Sequence, residues 1–323
     1  MKRLFLACLG VVLAGVGVAG LVLPFLPGLA LIFVGLSFIA PELAEKLKRK
    51  ILRRWMKREV FLLKERRRGG VTAGFTTRHF PLVLSQTDDL LDPFHQELFK
   101  KDLRRNLRSL KGGGAKGGWE RFVFLDQPHG DRVAVIEDSA KYEAPGFYRL
   151  FDADGVVTPI GGLALLALTA DCLPIFFYGA GGEPLDSARG KLRRTSWIGL
   201  VHAGWRGTKS RIAQKAFRLL LEKSGCAPSD VRIAFGPCIR KEHYEVGGEF
   251  LDYFPERSLR RKGGRLYFDL AGENRRQLVE AGVLERHISD LGICTVDENE
   301  DFYSFRKEKA LAGRMVSFTL KFA

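Results

Sequence analysis

Residues 4–40, LFLACLGVVLAGVGVAGLVLPFLPGLALIFVGLSFIA, hold no charged side chain, and this stretch limits what the chain can fold into more than any other. About 20 consecutive apolar residues cross a bilayer as a helix, because a helix satisfies its own backbone polar groups where no water can. The stretch has length for two spans. Pro24 and Pro27 divide it into a full-length one, 4–23, and a shorter one, 25–40. The turn between them is too short for a domain, so the sequence predicts a transmembrane helical hairpin over 1–41. A secretory signal would carry a shorter apolar region and a small-residue cleavage site followed by polar sequence, and neither is clear here. Lys2 and Arg3 precede the hairpin and a basic run follows it. The positive-inside rule then puts both ends in the cytoplasm and the remainder of the chain on the cytoplasmic side of the inner membrane.

A formal net charge of +15 over 323 residues would by itself point to nucleic acid. Its distribution points elsewhere. Residues 41–70 hold twelve Lys/Arg against four Glu, and so account for eight of the fifteen charges. Residues 42–68 read as a basic juxtamembrane helix, amphipathic over 42–66, or as a solvated helical linker. Beside anionic headgroups each Lys or Arg contributes about 1 kcal/mol. The expected partner of the charge is a membrane surface, with no nucleic acid. The five cysteines are odd in number, far apart and without CxxC spacing. They read as reduced thiols rather than a disulfide framework.

RRRGG, 66–70, marks the start of the remaining domain, 69–323. Short β-rich runs alternate there with helical segments, which is the pattern of a mixed α/β domain. SLKGGGAKGG (109–118) and GAGGEPLDSARGKLRR (179–194) read as surface loops. Three runs end in chemically unusual turns. RFVFLDQPHGDRVAVIED is strand, turn, strand with His129 at the bend, and GLALLALTADCLPIFFYG is strand, bend, strand with Cys172 at its centre. SWIGLVHAGWRGTKSRIAQKAF is a strand, a glycine turn holding His202, and a helix starting near Thr208.

His129, Cys172 and His202 are residue types that bind zinc or copper, and each is placed at a strand end, where side chains converge. Three protein ligands leave a fourth position open, as in catalytic metal sites. Asp171 sits inside an apolar run, and a buried charge costs several kcal/mol unless it is compensated. Beside a metal-bound water it would handle a proton, and Arg206 is the expected counter-charge. Gly204, Gly207 and the amides around Thr208, with Arg206, form a candidate anion or phosphate site at the helix start. A second chemistry fits the same residues: Cys172 as nucleophile, His202 as base and Asp171 as its orienter, a cysteine hydrolase of cell-wall precursors. Taken singly, each His is an ordinary turn residue and each Cys a small hydrophobe. His79, His95 and His287 are expected to be surface residues without partners, and His243 in KEHYEV is ambiguous.

The order VTAGFTTR (71–78), QPHGDRV (127–133), DADGVVT (152–158), LTADCLPI (168–175), VHAGWRGT (201–208), GPCIRKEHYEVGGEF (236–250), FDLAGENRRQL (268–278), CTVDENEDFYSFR (294–306) and GRMVSF (313–318) resembles the laccase-domain, or multicopper polyphenol oxidase-like, family, now described as purine nucleoside phosphorylase-type enzymes. The resemblance implies a mixed α/β sandwich with central sheets and outer helices. It also implies a single metal, zinc or copper, on His129, Cys172 and His202. The implied activity is phosphorolysis of adenosine, inosine, guanosine or methylthioadenosine, with adenosine deamination as a second activity and purine nucleoside and phosphate as the small-molecule partners. Oxidation of polyphenols is the rival activity under the older family name. It needs several copper ions, for which the sequence has no HxH or HCH cluster. The chain departs from the family pattern at 78–99, which lacks the usual glycines and SLNLG segment, and at Pro128, where a β-branched residue is common.

Overall fold

LALLALT and SWIGLVHA are buried at every position, and a strand covered on both faces needs a layer of structure against each. The computed structural model describes residues 59–63, 71–107, 120–180 and 196–321, within a compact unit running from Arg58 to Ala323. One six-stranded sheet has the order β1 (Val60–Leu62), β2 (Val71–Thr76), β15 (Met315–Lys321), β7 (Leu163–Thr169), β3 (Arg121–Leu125), β5 (Gly146–Leu150). The other has the order β14 (Ile288–Asp290), β10 (Val231–Phe235), β8 (Leu173–Ala180), β9 (Ser196–Ala203), β6 (Gly155–Thr158), β4 (Val133–Val135). A small third sheet pairs β11 (Glu245–Val246), β13 (Arg265–Phe268) and β12 (Leu259–Lys262).

The period-2 alternation of each strand sorts its side chains into separate cores. Leu163, Leu165 and Ala167 of β7 meet Val156, Phe176, Ile198 and Leu200 of the second sheet, so the two large sheets pack face to face. Ala164, Leu166 and Leu168 point the other way, onto Phe99 and Leu103 of helix α1 (Pro93–Leu107). On the far side of the second sheet, Ile175, Phe177, Ile233 and Phe235 bury Ile212, Phe217 and Leu220 of helix α3 (Ile212–Ser224). Between β9 and α3 lies the five-residue α2 (Trp205–Lys209). Helices α4 (Phe250–Tyr253), α5 (Leu270–Glu280) and α6 (Phe305–Glu308) complete the set used below. The result is the expected mixed α/β sandwich, helix, sheet, sheet, helix. Each large side chain buried in it contributes about 1.5–3 kcal/mol.

The hairpin over 4–40 lies outside the described residues. Among the described residues no helix is long and apolar enough to cross a membrane. Val60–Leu62, placed by sequence within the juxtamembrane helix, instead form an edge strand whose Phe61 pairs with Phe75 of β2. The apolar triplet VFL suits a strand that extends a sheet already present. Gly179 and Ala180, expected in a loop, end β8 opposite Trp197 and Ser196. The rest of that loop, and 109–118, lie outside the described residues.

Two of the connections that pass from the first sheet to the second carry His129 and Cys172 to the site. Strands β3 and β7 run parallel in the first sheet, and each is followed by a crossing into the second sheet, β3 to β4 and β7 to β8. Both crossings leave from the same end of the sandwich. Strand β9 is antiparallel to β8, with His202 opposite Pro174, so its C-terminal end finishes beside the start of β8. His129, Cys172 and His202 therefore arrive at one rim from three strands far apart in sequence.

Candidate metal centre

One donor atom from each of His129, Cys172 and His202 lies within 4.8 Å of the others. The two imidazoles meet edge to face, with centroids 4.8 Å apart and planes at 87°. His202 is buried inside β9 rather than in the glycine turn after it, whereas His129 is exposed on the 126–132 crossing. That crossing is pinned by Gln127, whose side chain donates to the Leu168 carbonyl (2.6 Å) and accepts from the Leu168 amide (2.7 Å). Gln127, His129 and Asp171 all have left-handed backbones, with φ of 62°, 66° and 87°. Each such non-glycine residue costs about 1–2 kcal/mol. Strain of this kind collects where the surrounding structure must aim side chains at a site.

Asp154, which the sequence reading left without a role, fixes both histidines. It is fully buried, and its Oδ1 accepts from His202 Nδ1 (2.8 Å) and the His129 amide (3.1 Å), while Oδ2 accepts from the Gly130 amide (2.7 Å). A carboxylate only accepts, so Nδ1 of His202 carries a proton, and Nε2 is the nitrogen whose electron pair becomes free when the ring is neutral, as a metal ligand must be. This carboxylate–histidine pairing orients ligands in metal sites. Burial alone would push the Cys172 thiol up; the charge of His202 and hydrogen bonds from both histidines outweigh it and bring Cys172 down to about 6. Burial likewise disfavours a charged His202, yet Cys172 and Asp154 lift it to about 9.

The glycines of HAGWRG have spatial reasons. A Cβ on Gly204 would lie 3.2 Å from Cys172 Sγ and 3.3 Å from His129 Cδ2, within the volume between the donors. A Cβ on Gly207 would meet the Gly130 carbonyl at 2.8 Å. The expected helix start near Thr208 is corrected: α2 begins at Trp205 with Gly204 as its N-cap, and Thr208 is in its last turn. The Thr208 amide donates to the Gly204 carbonyl (2.9 Å), and its hydroxyl donates to the same carbonyl (2.8 Å) and accepts from Asn274 of α5 (2.8 Å). Gln277 donates to the Thr208 carbonyl (3.0 Å). Thr208 therefore fixes α2 and offers no donor to an anion.

Arg206 is not the counter-charge of Asp171. The Asp171 carboxylate accepts from the Thr295 hydroxyl (2.6 Å) and the Arg306 amide near the start of α6 (2.5 Å), partners 124 and 135 residues away. Arg206 is exposed, with its guanidinium 4.5 Å from the Trp205 ring centre. Both still act on one place: the half-buried Tyr244 phenol is pushed well above its ordinary range by desolvation, then by the charges of Cys172 and Asp171, against Arg306 and Arg206. Arg306 stacks over the Tyr244 ring at 5.4 Å. Tyr244, Thr295 and Arg306 thus join the site without having been singled out in sequence. The reading of His79, His95 and His287 as partnerless is also corrected: His79 pairs with Asp301 (2.8 Å), His95 with the Asp89 carbonyl (3.1 Å) and His287 with Arg232 (2.8 Å), while His243, left ambiguous, pairs with Asp297 (2.8 Å). The four described cysteines are free thiols.

Two imidazoles and a thiol held low by its neighbours form a donor set that suits zinc or copper, and the space kept open by Gly204 suits an ion between them. A family model described as multi-copper polyphenol oxidoreductase laccase matches residues 72–321. The protein named purine nucleoside phosphorylase YlmD of Bacillus subtilis is 29% identical over 257 residues, 77% of this chain and 87% of its own length. A purine nucleoside phosphorylase of Deinococcus radiodurans is 35% identical over 198 residues, 60% of this chain and 68% of its own. The crystal structure of YlmD from Geobacillus stearothermophilus superposes with a TM-score of 0.60 at 28% identity, covering 79% of this chain and 93% of that one. The chain belongs to the multi-copper polyphenol oxidoreductase laccase family.

Proposed function

We propose that the protein is a metal-dependent purine nucleoside phosphorylase acting on adenosine, inosine, guanosine or methylthioadenosine, with adenosine deamination as a second activity. The observation that carries this reading is the convergence of donor atoms from His129, Cys172 and His202, with Asp154 behind His202, in a chain whose relatives bear that name. His129, Cys172 and His202 would hold the ion, and zinc or copper so held supplies Lewis acidity to a bound oxygen. Arg206, which no acidic side chain neutralises in the described contacts, offers a planar, bidentate donor to phosphate. In phosphorolysis the bond from the ribose anomeric carbon to the base nitrogen breaks, a bond to a phosphate oxygen forms, and the departing base takes a proton. Asp171, held in place by Thr295 and Arg306, exchanges that proton at a carboxylate oxygen. Tyr244, under the Arg306 guanidinium, lies within the electrostatic reach of Cys172, Asp171 and Arg206.

The test is base release with and without phosphate. Phosphorolysis requires phosphate and yields ribose 1-phosphate. Arg206→Lys should raise the phosphate KM by about tenfold, or ~1.4 kcal/mol, because lysine cannot reproduce the bidentate contact. Equal rates without phosphate would defeat the phosphorylase reading. One observation favours a second chemistry: Cys172, His202 and Asp154 form a nucleophile, base and orienter in line, with Asp154 in the role first given to Asp171. A cysteine hydrolase built on them would keep its activity after metal removal and without phosphate. We further propose, from composition alone, that residues 1–41 tether the domain to the inner membrane on its cytoplasmic side.

A further inference from the structure

A second group of soft and borderline ligand atoms lies in the unit, and the reaction proposed above does not use it. His243 Nε2 is 2.8 Å from Asp297 Oδ1, and Cys294 Sγ lies within 4.8 Å of both atoms. A tetrahedral zinc ion, with bonds of about 2.0 Å to nitrogen and oxygen and about 2.3 Å to sulfur, spaces its ligand atoms roughly 3.3–3.7 Å apart. An ion would open the His243–Asp297 contact and draw the sulfur in toward that spacing. Cys294 is 5% exposed, at the floor of the group. The side chains of His243 and Asp297 are 35% and 37% exposed at its rim, which leaves an entry path and room for water as a fourth ligand.

The surroundings of the sulfur suit a thiolate. The backbone amides of Asp297, Arg240 and Val296 all approach Cys294 Sγ. A neutral thiol is a weak acceptor, and three amide donors on one sulfur is the environment of the charged form that binds metal. Sulfur with imidazole and carboxylate selects a borderline divalent ion over calcium or magnesium, and one cysteine is too few for an iron–sulfur cluster.

The two segments that carry the ligands are joined by Arg240, which donates to the Ile293 carbonyl (3.0 Å) and pairs with Asp290 (2.8 and 2.7 Å), and by a short backbone contact. Cys238 and Cys294 form a single isolated bridge, with the Thr295 amide donating to the Cys238 carbonyl at 3.1 Å and a longer contact from the Cys238 amide to the Ile293 carbonyl at 3.4 Å. The residue after His243 is Tyr244, and the residue after Cys294 is Thr295, which holds Asp171. We propose that His243, Cys294 and Asp297 form a second metal site, for a divalent cation of the zinc class, which clips the 238–244 and 293–297 segments together and so fixes Tyr244 and Thr295 at the first site. Binding displaces the Cys294 proton to solvent. The proposal is independent of the activity assigned to the first site.

The test is metal content of the full chain, stripped with chelator, reloaded with zinc or cobalt and dialysed. Wild type should hold about two ions per chain, and His243→Gln or Asp297→Asn about one, since each variant removes a ligand of one site only. The thiolate-to-cobalt absorption should fall by about half in Cys294→Ser and again by about half in Cys172→Ala, one thiolate being lost at each step. His243 and Asp297 are partly exposed, so their variants serve if the buried Cys294→Ser fails to fold. A wild-type content of about one ion that Cys172→Ala abolishes and Asp297→Asn leaves intact overturns the proposal. Loss in Asp297→Asn alone sustains it and removes the metal from the first site instead.

Discussion

Burial on its own would keep Cys172 protonated at neutral pH, and its low value is the work of His202, with Asp154 behind that ring. The sign gives a direct expectation. In chelator-treated protein Cys172 is thiolate above about 6, while Cys238 is pushed up to about 12 and Cys226 and Cys294 are also raised. Alkylation followed by mass spectrometry should label Cys172 first among these four, with its rate rising through a midpoint near pH 6 and not near 9. Asp154→Asn removes part of the stabilisation of charged His202, so the midpoint should move upward. An unchanged midpoint would mean that Asp154 only holds the 129–130 loop. Reloading with zinc should protect the thiol, since the same electron pair is used.

At the scale of elements, the sandwich positions its rim through close backbone approaches. Helix α2 is seated against the 126–132 crossing at Gly207 and against α5 through Thr208, Asn274 and Gln277. Its Arg206 is therefore aimed by structure on two sides. Gly207→Ala puts a methyl 2.8 Å from a backbone oxygen, which cannot rotate away. Overpacking of this kind costs about 1–3 kcal/mol, a fall of roughly 2–12 °C in Tm for a domain of this size. Calorimetry checks the stability, and the metal content of the same sample checks whether His129 has moved with Gly130. A variant with wild-type Tm would show that α2 shifts freely and that its seating does not aim Arg206.

For the whole molecule, the uneven charge separates two roles. The basic run and the charge-free stretch lie N-terminal to most of the unit that starts at Arg58, while the ligands and Arg206 lie inside it. A chain beginning at Arg58 should stay folded, bind the same metal and show the same kcat, because every contact that builds the site is internal to that unit. The full chain should sediment with membranes through an alkaline wash, and the shortened chain should not. Recovery of the full chain in the supernatant would remove the tether. Loss of folding in the shortened chain would show that residues 1–57 support the domain.

The sequence determined the mixed α/β class and the identity of the three metal-ligand candidates from local information, while the sandwich was what the family resemblance implied. Runs such as LALLALT, apolar on both faces, demand a sheet between two layers, and His129, Cys172 and His202 declare themselves by residue type beside strand ends. The edge strand at Val60–Leu62 was hidden by its basic neighbours, since three residues carry too little pattern to outweigh them. Tertiary structure alone decided which groups face one another. Asp154 reaches His202 across 48 residues of chain, and Asp171 takes donors from Thr295 and Arg306 more than 120 residues away. Periodicity fixes the face of a strand on which a side chain lies, but not the strand or loop opposite it. The partner of Asp171 was thus misassigned to the near Arg206, and the full use of Thr208 by its own helix and by α5 was invisible. Those pairings are settled only when the three parallel strands β3, β5 and β7 of one sheet cross into the other at the same rim.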